Sequence, residues 1–210
     1  IVCASATNTI TFNGNFETLA FASANTNQRA VITLSGADHI YIDSLTIDAS
    51  GGTYGYGVHL ISQADSNKIT NCVVNTTANQ TTTNFAGIVM SGSLASATTA
   101  GNSGNGNEIS GNTITNGYYG ITVVGTSAAP FISGNRVVNN SITDHYLYGV
   151  YSLGNTGTEF VGNNIRQLNR TSTSTTYGLF LTTNTIGAKV ERNRIHDFLV
   201  ATPTSTSTVY

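Results

Sequence analysis

Apolar residues recur along this chain in a six-residue pattern, apolar-x-x-Asn-x-apolar. It reads Ile109-Ser-Gly-Asn112-Thr-Ile114, Ile132-Ser-Gly-Asn135-Arg-Val137, Phe160-Val-Gly-Asn163-Asn-Ile165 and Val190-Glu-Arg-Asn193-Arg-Ile195. Upstream, Ile42-Asp-Ser-Leu45-Thr-Ile47 and Ile69-Thr-Asn-Cys72-Val-Val74 keep the apolar places without the Asn. A second pattern, aromatic-Gly-apolar, alternates with the first. Its copies are Tyr56-Gly57-Val58, Tyr119-Gly120-Ile121, Tyr148-Gly149-Val150 and Tyr177-Gly178-Leu179, with weaker ones at Ala86-Gly87-Ile88 and Arg29-Ala30-Val31.

The spacing between the two patterns is nearly constant. From Ala30, Gly57, Gly87, Gly120, Gly149 and Gly178 to the next six-residue copy the steps are 12, 12, 22, 12, 11 and 12 residues. The return steps vary, and the step of 22 carries an insertion. A repeat of fixed and variable parts, each holding short runs of alternating hydrophobicity, predicts a solenoid of short strands. Each coil is too small to bury a core alone, so the inward residues must stack into columns. The expected columns are Ile42, Ile69, Ile109, Ile132, Phe160, Val190 and Ile47, Val74, Ile114, Val137, Ile165, Ile195. The fold class expected is all-β, a right-handed parallel β-helix of about six coils.

Asn112, Asn135, Asn163 and Asn193 share one place in the pattern and predict an internal Asn ladder, their amides hydrogen-bonded from coil to coil. Lys68 is expected beside Glu108, and Glu159 beside Lys189. The chain reads as a single domain over 1–210: a less regular first coil over 1–28, regular coils over 29–198 and an incomplete last coil over 199–210. Its ends read as those of a fragment of a longer chain, with end-to-end stacking of uncapped coils as an expectation.

Composition agrees with strands and turns. Charged residues make up 9% of the chain, there is no Trp, and 22 residues are Gly. An average domain carries roughly 25% charged residues. The net charge is −2, with no basic stretch for a run of phosphates, so nucleic acid is not an expected partner. No apolar run approaches the ~18 residues of a membrane span. Cys3 and Cys72 make no framework; isolated thiols are favoured, and a pair between them is the alternative.

With its "Ala-Asp-His-Ile-Tyr-Ile-Asp-Ser-Leu-Thr-Ile-Asp" from Ala37 and its recurring "Asn-x-Ile-x-x-Asn-x-Ile", the chain resembles the pectate-lyase-like superfamily of right-handed parallel β-helices. More closely it is similar to the β-helix repeats of large secreted bacterial surface proteins. The resemblance implies an extracellular or cell-surface location. It leaves function open, because that superfamily holds lyases, hydrolases, tailspikes and adhesins on one scaffold.

The chemistry of cleavage is hard to find. A glycosidase needs two carboxylates across a bond; a calcium-assisted lyase needs clustered acids and a base. The ten acidic residues are scattered. Asp38 and Asp65 align between coils and are the candidates for a calcium ion, with turn formation as the ordinary role. Arg192-Asn-Arg194-Ile-His196-Asp197 reads as solvated surface. No catalytic residue and no cofactor is expected.

Aromatic residues offer more. Tyr119, Tyr148 and Tyr177 fall in one column, and Tyr151 and Phe180 lie two places past the glycines, alternating outward. Flat rings with hydroxyl edges suit sugar rings, and these five are the carbohydrate-contact candidates. The alternative is that they cover the edge of the core. The variable arms 75–84, 139–147 and 169–176 leave one edge, where repeat proteins often bind, and the insertion 91–107 reads as a mobile loop. The expected function is a non-catalytic segment of a secreted or cell-surface bacterial protein, an adhesion or carbohydrate-contacting stalk, with polysaccharide or surface glycan as partner. Two alternatives stand beside it: a portion of a polysaccharide lyase or glycoside hydrolase, and a purely structural spacer.

Overall fold

The computed structural model describes residues 4–210. Cys3, and with it the question of a pair with Cys72, lies outside the described residues. Among these residues there is no helix; the chain is a parallel β-solenoid of about six turns. Three long sheets run along its axis. The first joins Ile10–Asn13, Ile40–Asp43, Lys68–Thr70, Glu108–Ser110, Arg136–Val138, Glu159–Val161 and Lys189–Glu191. The second joins Thr18–Ala20, Thr46–Ala49, Val73–Thr76, Thr113–Thr115, Ser141–Thr143, Asn164–Arg166 and Arg194–Ile195. The third joins Ala30–Ser35, Gly55–Ile61, Phe85–Met90, Tyr119–Val124, Tyr148–Leu153 and Tyr177–Leu181. The strands at 10–13 and 18–20 already belong to these sheets, so the regular stack begins earlier than the sequence pattern suggests.

The inward columns are continuous, with one change of register. In the fourth coil Val137 pairs with Ile109 above and Phe160 below, and Ile142 pairs with Ile114 and Ile165. The true copy there is Val137-Val-Asn139-Asn140-Ser-Ile142, not the copy from Ile132. Both fit the pattern and they share Val137. A loop through Pro130 lengthens this connection, and Ile132 moves into a small fourth sheet, Ile132–Ser133 with Asn155–Thr156 and Thr185–Ile186. Another slip occurs in the first copy of the glycine pattern: Ala30 pairs with Tyr56 and Ile32 with Val58, so Val31 takes the glycine place.

The glycine column has a steric cause. A Cβ on Gly120 would lie 2.4 Å from Cγ2 of Ile142 and 2.5 Å from the carbonyl oxygen of Gly149. Gly57, Gly87, Gly149 and Gly178 meet the same obstacle from Val74, Ile114, Ile165 and Ile195. At this corner the inward aliphatic residue of the second sheet fills the space a side chain would need.

The Asn ladder is two ladders. In one, Asn112, Asn140, Asn163 and Asn193 follow each other, each Nδ2 donating to the next Oδ1 at 2.9 to 3.0 Å. Each of these Oδ1 atoms also accepts the backbone N–H of the residue one coil back, and each Nδ2 also donates to a backbone carbonyl. Asn135 is not in it. Asn135 ends a second ladder, Asn67–Asn107–Asn135, placed one residue before the first-sheet strands. A third column does similar work with carboxylates: Asp38 Oδ1 accepts the Asp65 N–H at 2.8 Å, and Asp65 Oδ1 accepts the Asn105 N–H at 2.7 Å. The calcium candidates are thus bound into turns.

Outward charges follow the register but not the expected pairing. Lys68 stands beside Glu108 and Glu159 beside Lys189. Arg136, brought between the two glutamates, bonds to both at 2.9 Å. The Lys68 ammonium lies 4.8 Å over the Tyr41 ring, and Lys189 reaches Glu191.

The variable arms are clamped together. The buried guanidinium of Arg170 donates to the carbonyls of Gln80, Asp144 and Ser172 and lies 4.6 Å from the Tyr146 ring centre. His145 is enclosed next to it. Burial, then the charge of Arg170, lowers the His145 pKa to about 3. Burial beneath the third sheet's outer cover lowers that of His59 to about 4.

Two outcomes are expected. Asn140→Ala removes the hydrogen bonds on both sides of one rung and leaves buried partners unmatched, which should cost roughly 2–4 kcal/mol in a urea titration. A variant as stable as the parent would show that the ladder is not a source of stability. The histidines set an acid limit. Unfolded imidazole titrates near 6.5, so below that pH the unfolded chain binds protons that the folded chain refuses, and stability falls as pH falls toward 4. At about 1.4 kcal/mol per unit, His59 accounts for a loss of roughly 3 kcal/mol. The urea midpoint should drop between pH 7 and pH 4, and drop less in His59→Gln; equal drops would exclude His59 as the cause.

Candidate functional site

On the outer face of the third sheet one column holds Tyr56, Ala86, Tyr119, Tyr148 and Tyr177 in register. Three residues on, His59, Val89, Thr122, Tyr151 and Phe180 form a parallel column. Between them Val58, Ile88, Ile121 and Val150 point into the core. Outward placement of the second column follows from strand alternation.

Strand spacing turns the tyrosines into a stack. Tyr119 and Tyr148 have ring centres 5.7 Å apart with planes at 6°, and Tyr148 and Tyr177 5.1 Å apart at 20°. Tyr210 extends the stack beyond Tyr177 at 5.0 Å and 14°. Its backbone joins the same sheet, where it accepts the Gly178 N–H. Phe180 lies beside the stack, 4.8 Å from Tyr177 and 5.2 Å from Tyr148, and Tyr151 meets Tyr148 edge-on at 5.2 Å. The sequence carries Tyr210 as the start of a further strand, but a single Tyr after a Thr/Ser run has no repeat partner to mark it.

The two ends of this face differ. The insertion that lengthens the third step folds over the upper end. Ala97 packs on Tyr56, Ala86, Val89 and Tyr119. Ser91, buried, hydrogen-bonds His59 Nε2 at 3.0 Å and donates to the Ser96 carbonyl at 2.8 Å. The neck closes through Gly92 N–H to the Thr99 carbonyl at 2.8 Å, where a Cβ on Gly92 would lie 2.6 Å from Gly101 Cα. The insertion, expected to be mobile, is a pinned flap. Under its edge Tyr119 is 6% exposed, and burial pushes its phenol far up.

Below the flap the face opens. Tyr148, Tyr151, Tyr177 and Phe180 are each half-buried, and Tyr210 is 67% exposed. Burial raises the phenols of Tyr148 and Tyr151, so both stay neutral hydrogen-bonding groups at ordinary pH. Of the five aromatic candidates, the structure brings four together on this open strip and places Tyr119 beneath the flap. Tyr118 and Tyr146 flank it, with ring centres 5.4 Å apart. The arms expected to form a binding edge are tied to one another by Arg170, through the carbonyls of Gln80, Asp144 and Ser172.

Asp43 is the most heavily bonded acid. It accepts from Asn13 and Thr70 at 2.8 Å, Asn71 at 2.9 Å and Ser44 at 3.1 Å, and the bonds from Asn71, then Thr70 and Ser44, lower its pKa. Among the described residues no group of three His, Cys, Asp or Glu side chains is placed to hold a metal ion.

No protein-family model matches the chain, and no curated protein matches it. Among solved structures, the chain is similar to one described as a glycoside hydrolase, with a TM-score of 0.44 and 14% identity over 84% of this chain. The aligned part spans 39% of that chain's length.

Proposed function

We propose that this β-solenoid is a non-catalytic carbohydrate-contacting segment of a secreted or cell-surface protein. The observation that carries the reading is the open half of the aromatic face. Tyr148, Tyr151, Tyr177, Phe180 and Tyr210 form one continuous set of rings at the coil repeat, with the tyrosine hydroxyls at their edges. Ring faces suit the C–H faces of sugars, and phenols hydrogen-bond their hydroxyls. Rings held in a close stack by the coils lose less freedom on binding than free side chains would. The outward carboxylates of the first sheet also favour contact over cleavage, since Glu108 and Glu159 are both engaged by Arg136.

With no Trp on the chain, tyrosine emission, to which the strip contributes four of ten tyrosines, reports binding. Titration with plant, algal and bacterial polysaccharides should change that emission for at least one of them. Tyr151→Ala with Phe180→Ala should then weaken binding by roughly tenfold or more, about 1.4 kcal/mol, while the thermal transition stays cooperative. Silence across the set from folded protein would leave the spacer as the account of this chain.

A further inference from the structure

Among the described residues, the side chains that most readily take up oxidising equivalents are absent from the surface. The chain has no Trp and one Met, and that residue, Met90, is buried. Cys72 is a buried free thiol, and burial raises its pKa, away from the reactive thiolate. Sulfur side chains oxidise according to exposure and thiolate character. That leaves the ten tyrosines as the side chains that give up an electron most easily. They are not equally open to an oxidant. Tyr56 is fully buried and Tyr119 lies under the flap. Lys68 stands over the Tyr41 ring, Arg29 over Tyr54 and Arg170 over Tyr146, at 4.5 to 4.8 Å from the ring centres. A cation over a ring opposes removal of an electron from it. Tyr148, Tyr151 and Tyr177 are half-buried and carry no such cation.

Register selects one pair from these three. Tyr148 and Tyr177 are direct partners on adjacent strands. Their ring centres are 5.1 Å apart and their planes are inclined by 20°. Nearly parallel rings in register lie rim over rim. After burial, the Tyr177 phenol is the next cause that raises the Tyr148 phenol, as two neighbouring hydroxyl ends require. The ring carbons beside each hydroxyl, where the unpaired electron of a phenoxyl radical concentrates, therefore face each other across the coil spacing. Tyr151 meets Tyr148 at 69°, so one rim meets the face of the other ring. Tyr119 stacks on Tyr148 at 5.7 Å, but it is covered.

We propose that Tyr148 and Tyr177 are an oxidative cross-linking site, which a one-electron oxidant such as a peroxidase consuming hydrogen peroxide joins into a dityrosine that staples two successive coils. Each phenol gives one electron to the oxidant and its proton to water. The two phenoxyl radicals join through a ring carbon beside each oxygen, forming one C–C bond. The hydrogens on those two carbons then move to the oxygens, which restores both phenols. Two electrons and two protons leave the protein, and with them one hydrogen peroxide becomes two waters. Half-exposed rings have an open side on which to turn toward each other, while the parallel register keeps them paired. The new bond closes the loop from Tyr148 to Tyr177, and a covalent bridge across such a loop restricts the unfolded chain as a disulfide does. The site is independent of what the aromatic strip contacts.

The test treats the whole chain, at low concentration, with a peroxidase and hydrogen peroxide. A parallel sample receives a photoexcited ruthenium bipyridyl complex and persulfate, a small oxidant that needs little access. The parent is compared with Tyr148→Phe, Tyr177→Phe and Tyr210→Phe, each of which keeps the ring in the stack without its hydroxyl. Tyr210 stacks on the other side of Tyr177 at 5.0 Å and is the competing partner. The expected result is a monomer with dityrosine emission, in which the peptides holding Tyr148 and Tyr177 are joined with the loss of two hydrogens. The joined peptide should persist in Tyr210→Phe and be absent from Tyr148→Phe and Tyr177→Phe. The cross-linked monomer should also unfold at a higher urea midpoint than the untreated chain. Links only between molecules, links confined to Tyr210 or to Tyr148 with Tyr151, or no dityrosine with either oxidant overturn the site. A link between Tyr148 and Tyr177 that leaves the urea midpoint unchanged overturns the staple.

Discussion

Hydrogen bonding between successive coils, at the spacing of about 4.8 Å that parallel strands require, is the constraint from which the rest of this structure follows. Once every coil sits one strand spacing from the next, a residue type placed in one coil meets its equivalent in the next. Inward isoleucines and valines become columns, amides become ladders and tyrosines become a stack. Close packing at the corner also becomes a column: Gly57, Gly87, Gly120, Gly149 and Gly178 all yield room to an aliphatic residue of the second sheet. The two Asn ladders show the same economy. One amide satisfies a backbone N–H, a carbonyl and the next amide, so a turn carrying several buried polar groups is closed by a single side chain.

What varies between coils decides which faces are open. Connections outside the fixed part of the repeat differ in length, and each length has found a different use. The Ser91–Gly101 flap covers the upper aromatic face, with Ala97 on Tyr119 and Ser91 on His59. The arms near Gln80, Asp144 and Ser172 are tied by one buried arginine. The exposed rings below the flap are a part of the surface left without such cover.

The repeat period, the solenoid, the glycine column and the outward aromatic column were legible in the sequence, because each depends on residue type at a repeating interval. Lys68 beside Glu108 was legible for the same reason. The register of the fourth coil was not. Ile132–Val137 and Val137–Ile142 satisfy the same pattern, and only pairing with the coils on both sides chooses the second, which moves Asn135 out of one ladder and brings Asn140 in. With that shift Arg136 enters the column between Glu108 and Glu159, so the ion pairs changed as well.

The sequence by itself determined that this chain stacks short strands and which residue types line each column, since a period survives without knowledge of partners. Tertiary structure alone decided what covers what. Whether Tyr119 is buried while Tyr148 and Tyr177 are open depends on where a Gly/Ser/Thr/Ala insertion folds. Whether an arginine is engaged depends on groups far away along the chain, as Arg170 and Gln80 are. Such contacts have no fixed interval in sequence, so no periodicity announces them; they follow from the three-dimensional packing of segments that the repeat leaves free.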